Sequence, residues 1–125
     1  MTSMILLAVA VGGGLGAMLR YVLAGMIQHP NVQFPLGIMV VNITGGLAMG
    51  LIVELSALKI QMSPEMRAFL TTGILGGYTT FSTYSLDSVL LIERGEYGSA
   101  ALYIVGSAVL SILAVFAGMW AVRAL

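Results

Sequence analysis

The residues best equipped for chemistry in this chain are uncharged hydrogen-bonding groups set among apolar ones. Asn42, Gly46 and Gly50 fall at i, i+4 and i+8, so on a helix the Asn42 amide is directed, with two glycines, at a neighbouring helix or a cavity. An amide carries donors as well as an acceptor, which suits Asn42 either to glue helices together or to donate to a passing anion. Tyr103, Ser107 and Ser111 repeat the same spacing. That stripe of hydroxyls is either satisfied by its own helix backbone or a polar track along a narrow pore. Phe81 and Tyr84 share a helix face, where they either pack as ordinary aromatics or turn their partially positive ring edges to a small anion.

The most unusual stretch is Thr71-Thr72-Gly73-Ile74-Leu75-Gly76-Gly77-Tyr78-Thr79-Thr80-Phe81-Ser82-Thr83-Tyr84-Ser85. Its glycines and β-branched threonines disfavour a continuous helix, so the expectation is two half-helices joined by an unwound segment near residues 73–80. Unwinding inside a bilayer frees carbonyls that can bind a cation, and presents amides at the start of the second half-helix to an anion. Arg20 lies one turn beyond Gly16 on a glycine-lined face. An arginine at depth must snorkel to the interface or face protein and water. Its position on that face favours the inward role, as an anchor or an electropositive vestibule.

Elements long enough to hold these groups follow from composition. Of 125 residues, 59% are hydrophobic and 8% charged, too little polar surface for an ordinary soluble domain. A bilayer core about 30 Å thick needs roughly 20 helical residues to cross it, so the length allows about four spans in a single transmembrane domain. Helix 1 is expected over about 4–27, closed by Gln28-His29-Pro30-Asn31, and helix 2 over about 34–58. Ser63-Pro64-Glu65 reads as an N-cap, a first-turn proline and a first-turn acid opening helix 3, which reaches about residue 92. The charged turn Glu93-Arg94-Gly95-Glu96 precedes helix 4, over about 97–122. Gly12 and Gly16, Gly46 and Gly50, and Gly73 and Gly77 form small-residue pairs that let helix backbones approach closely. The fold class is an all-α membrane protein of four helices, the third broken mid-membrane.

Other classes drop out. Five basic and five acidic residues cancel, leaving no nucleic-acid footprint or polybasic patch. The absence of cysteine excludes disulfides and thiolate chemistry, and His29 beside Pro30 reads as a loop histidine. Ala8-Val9-Ala10 resembles a signal-peptide cleavage site, but no basic stretch precedes it and the apolar run continues, so helix 1 is expected to be retained. No nucleophile with a base, phosphate loop or ligand cluster indicates an enzyme. With alternating helices, Lys59, Arg67 and Arg123 fall toward one side, and Arg94, with or without Arg20, toward the other, three against one or two. So small a bias predicts dual topology, with an antiparallel homodimer as its natural product.

Gly12-Gly13-Gly14-Leu15-Gly16-Ala17 with Arg20, Gly37 followed by Asn42, the run from Thr72 to Thr83, and the helix 4 ladder together resemble the Fluc (CrcB) fluoride channels of microorganisms, over essentially the whole chain. The resemblance implies passive fluoride export across a bacterial inner membrane by an antiparallel dual-topology dimer with two pores. It also implies a central structural sodium ion held by backbone carbonyls, here those of Gly76 and Thr79. Phe81 matches the first pore phenylalanine, Asn42 the pore asparagine, and Tyr103, Ser107 and Ser111 the hydroxyl track. Ser82 and Thr83 stand beside the aromatic pair, and Arg20 matches the vestibule arginine. Two residues depart from the pattern: Tyr84 replaces a second phenylalanine, and Asp87 a more usual glutamate.

Two other readings compete. A small dual-topology, proton-coupled multidrug exporter also uses four helices, but needs a membrane-embedded carboxylate, for which Glu54 and Asp87 are the candidates. A structural membrane protein explains the glycines and leaves Asn42, the hydroxyl ladder and the helix 3 segment unexplained together.

Overall fold

The computed structural model describes residues 2–125, and every regular element among them is helical. Thr2 caps α1 (Ser3–Ile27), its Oγ1 accepting the Ile5 N–H at 3.2 Å. Gln28 then organises the turn. Its Nε2 donates to the carbonyls of Val32 and Phe34 at 2.8 and 3.0 Å, and its Oε1 accepts the Gly37 N–H at the start of α2 (Leu36–Leu58) at 3.0 Å. One side chain thereby satisfies backbone groups that a helix terminus leaves open.

The third span, here α3, opens as an α-helix over Pro64–Ala68, with Ser63 Oγ accepting the Met66 N–H at 3.1 Å and Pro64 in the first turn. It widens to a π-helix over Phe69–Leu75 and closes with one α-helical turn, Gly76–Tyr78. Thr79 and Thr80 are extended, and α4 (Phe81–Glu93) begins afresh. Gly95, at φ +77°, makes the turn into α5 (Tyr97–Arg123), a left-handed conformation that disfavours any side chain. Three helices, α1, α2 and α5, are each long and apolar enough to cross a membrane, and the chain is a multi-pass membrane protein.

The glycines of α3 were expected in an unwound stretch. Instead Gly73, Gly76 and Gly77 are all helical, and the extended backbone is confined to the two threonines after them. The reason is close packing rather than flexibility. A β-carbon on Gly12 would lie 2.6 Å from the Phe69 carbonyl oxygen, one on Gly73 would lie 3.0 Å from the Gly12 Cα, and Gly16 and Gly77 press on the Ile74 and Gly13 carbonyls. Smallness here lets α1 and α3 touch backbone to backbone, the source of helix association where lipid offers no hydrophobic drive. A second seam joins α2 to α5, where Gly46 faces the Ser111 carbonyl, Gly50 that of Val115 and Gly118 that of Leu47. At the far end of this seam the buried Glu54 carboxylate pairs with the Arg123 guanidinium.

Candidate functional site

The seam between α2 and α5 opens into a cavity of about 420 Å³ where α2 passes the extended threonines. Asn42 is its polar centre. Its Oδ1 accepts the Thr80 N–H at 2.8 Å, and its Nδ2 donates to the Thr80 carbonyl at 3.1 Å. Both backbone groups that Thr80 loses by leaving the helix are met by one side chain, as a neighbouring strand would meet them. Nδ2 carries a second hydrogen beyond the one given to Thr80. Gluing helices and donating into a cavity are therefore compatible roles for this amide. Thr80 also caps α4, its Oγ1 accepting the Thr83 N–H at 3.2 Å.

These bonds decide which carbonyls remain open. In an unbroken helix the N–H groups of Thr80 and Thr83 would close onto the carbonyls of Gly76 and Thr79. Here the first goes to Asn42 Oδ1 and the second to Thr80 Oγ1. The neighbouring Gly77 carbonyl takes Arg20 Nε at 3.1 Å, so Arg20 turns inward and sets its charge at the end of the α3 helix, where a cation is favourable. Leu75 is also engaged, accepting from both the Thr79 N–H and the Thr79 hydroxyl at 3.0 Å. Among the described residues no group of three or more histidine, cysteine or carboxylate side chains stands ready for a metal.

Aromatic rings form the next wall. Phe81 and Tyr84 both line the cavity, with ring centroids 5.5 Å apart, and Phe81 is 78% exposed. The hydroxyl that distinguishes Tyr84 from phenylalanine is taken up by a backbone carbonyl. Its O–H donates to the Ile104 carbonyl on α5 at 2.6 Å, tying α4 to α5. Tyr84 stacks on toward Tyr103 at 5.4 Å, which meets Phe34 edge-on at 5.7 Å.

The hydroxyl stripe divides. Ser107 and Ser111 line the cavity, whereas Tyr103 is fully buried behind it and donates its O–H to Asp87 Oδ2 at 3.1 Å. Ser107 is the informative member. Elsewhere in the chain Ser85, Ser88 and Thr71 each donate to the carbonyl four residues earlier, at 2.9, 2.7 and 2.7 Å, the usual resort of a hydroxyl in an apolar helix. Ser107 Oγ is buried and has no hydrogen-bond partner among the described residues. A buried hydroxyl without a partner costs about 1–3 kcal/mol.

Ser82 and Thr83 are not on the lining. Their hydroxyls meet Thr80 Oγ1 at 3.4 and 3.2 Å, within the capping turn of α4. Sequence spacing missed Thr80 and Gly45, which do line the cavity. Gly45 leaves no room for a β-carbon beside the Thr79 methyl group, and the hydroxyls of Thr44 and Tyr78, 2.9 Å apart, hold the same wall from behind. A helix break facing an asparagine across 38 positions of sequence carries no local signal that would single out Thr80.

A protein-family model described as CrcB-like protein, Camphor Resistance (CrcB), matches residues 7–119. The chain is 49% identical over 121 residues to the fluoride-specific ion channel FluC of Rhizobium meliloti (strain 1021), covering 96% of this chain and 97% of that protein. It is 49% identical over 119 residues to the protein of the same name from Rhodospirillum centenum (strain ATCC 51521 / SW), covering 94% of each. To that of Agrobacterium fabrum (strain C58 / ATCC 33970) it is 52% identical over 115 residues, covering 89% of this chain and 90% of that one.

Proposed function

The chain belongs to the CrcB-like protein family, and from that premise we propose that it is a fluoride-selective channel, releasing fluoride from the cytoplasm down its gradient across the inner membrane. Like the relatives named as fluoride-specific ion channels, it is an ion channel and not an enzyme. The observation that carries the reading is the cavity between α2, α4 and α5. Its wall combines the Asn42 amide, the unpartnered Ser107 hydroxyl, Ser111 and two aromatic rings, with no charged side chain. Fluoride holds its water tightly, so a selective path must replace that water with donors. A few neutral donors set in a mostly apolar wall do so without a fixed cation that would trap the ion.

The working unit in this proposal is an antiparallel homodimer of dual topology with two pores, one cavity to each. Phe81 and Gly76 are exposed on the surface of a single copy, at the level of the helix interruption. The Gly76 and Thr79 carbonyls, deprived of their helical donors, fit a hard cation that takes oxygen ligands. Two carbonyls are too few for such an ion, and a second copy supplies two more. Sodium in that position is structural: bound, it neutralises carbonyls that would otherwise face one another. Arg20, by occupying the Gly77 carbonyl, holds the helix end from which those oxygens project.

The direct test is efflux from liposomes followed with a fluoride electrode. Reconstituted protein should give a fluoride leak well above protein-free liposomes with chloride held back, and no such leak would refute the channel reading. Preparing the protein without sodium should lower its thermal stability and loosen the dimer, a readout separate from flux.

The exporter reading needs a carboxylate free to exchange protons. Glu54 is paired with Arg123, and Asp87 accepts from Tyr103. Glu54→Gln is therefore expected to cost about 1 kcal/mol of stability, since Arg123 is half exposed and solvent screens the pair. Fluoride efflux should stay at the wild-type level. Proton-coupled uptake of an organic cation that this substitution abolishes would reinstate the exporter.

A further inference from the structure

The end of the bundle remote from the Glu93–Glu96 turn gathers the start of α1, the end of α2 and the start of α3. A second cavity, of about 460 Å³, lies there between α1 and α3. Its apolar wall is Ile5, Met62, Pro64 and Ala68, and its polar wall is Arg67 with Thr71 and Thr72. The Arg67 guanidinium is held by Ser56, its Nη2 donating to Ser56 Oγ at 2.6 Å.

Charge pairing isolates this arginine. Among the described residues the ion pairs are Arg94 with Glu96 and Arg123 with Glu54, and Arg20 is engaged with the Gly77 carbonyl. Arg67 has a neutral hydroxyl for its partner and no carboxylate. A guanidinium offers five donors in a planar fork that matches phosphate, and one bond to Ser56 leaves most of them open. The position is where three helices begin or end, hence at the depth of lipid headgroups.

We propose that this cavity binds the phosphate of an anionic phospholipid, with Arg67 as its recognition residue and Ser56 holding the guanidinium in place. The apolar wall favours a lipid over a free anion: Ile5, Met62 and Ala68 give the glycerol and first acyl carbons a surface that inorganic phosphate would not use. The site stands apart from the ion path and does not depend on the fluoride reading.

Native mass spectrometry of the purified full-length protein, offered equal phosphatidylglycerol and phosphatidylcholine, tests it. A basic side chain near an anionic headgroup is worth about fivefold in binding, so that is the expected preference for phosphatidylglycerol in the wild type. Arg67→Gln should abolish the preference, Arg67→Lys should keep part of it, and Lys59→Gln should leave it unchanged. Thr72→Phe, which fills the cavity from its exposed edge without altering charge, should also remove it, and serves if Arg67→Gln does not fold. Equal retention of both lipids by the wild type, or an undiminished preference in Arg67→Gln and Thr72→Phe, would overturn the proposal. So would displacement of the bound lipid by millimolar inorganic phosphate, which would make the site one for free anions.

Discussion

Asn42→Ala is expected to lower fluoride efflux by about a hundredfold, the equivalent of losing one well-placed donor to a dehydrated ion at roughly 2–3 kcal/mol. The same substitution strips the Thr80 N–H and carbonyl of their partner, because both bond to the Asn42 side chain. Two unmet backbone groups inside a membrane protein also threaten the extended segment itself. Asn42→Asp keeps one of these two backbone bonds. A carboxylate still accepts the Thr80 N–H but donates neither to the Thr80 carbonyl nor to an anion, and its charge repels one. The expected result is a variant that elutes as the wild-type oligomer on size exclusion and carries almost no fluoride. If Asn42→Ala keeps near-normal flux but loses the dimer, the amide is helix glue and leaves the ion path.

How much of this was readable beforehand depends on the reach of each signal. Helical spacing placed Asn42 with Gly46 and Ser107 with Ser111, and those four residues do share one cavity, because a straight helix fixes its faces over a few turns. The same logic placed Tyr103 on the stripe, and it does lie on that face of α5. Whether its hydroxyl is free depends on Asp87 from another helix, which no spacing within α5 discloses. The glycines of α3 misled for a related reason. A glycine's conformational freedom and its smallness are indistinguishable in sequence, and only the approach of α1 shows that Gly73 and Gly77 serve by smallness. The break itself falls at Thr79 and Thr80, where hydroxyls and the Asn42 amide replace the helical bonds.

Tyr84 shows what a departure from a family pattern can leave intact. Its added hydroxyl reaches the Ile104 carbonyl, so the ring stays on the cavity wall as a phenylalanine ring would. The substitution adds a tie between α4 and α5 without adding a donor to the cavity. Flux in Tyr84→Phe should accordingly stay close to that of the wild type.

Phe81 has no such second attachment, and Phe81→Ile carries the other large effect. Its ring meets Tyr84 at 5.5 Å and is otherwise 78% exposed, so little in a single copy depends on it for folding. An isoleucine keeps most of the apolar bulk and removes the positively polarised ring edge. Edge contacts between aromatic rings are worth about 0.5–1.5 kcal/mol beyond area, and on that scale for an anion at the ring edge efflux should slow by about two- to tenfold. The size-exclusion profile should match that of the wild type. A packing residue would give the reverse pattern: a weakened oligomer with flux per folded dimer preserved. Wild-type efflux from a Phe81→Ile variant with an unchanged size-exclusion profile would take this ring out of the proposed ion path and leave selection to Asn42 and the serine hydroxyls.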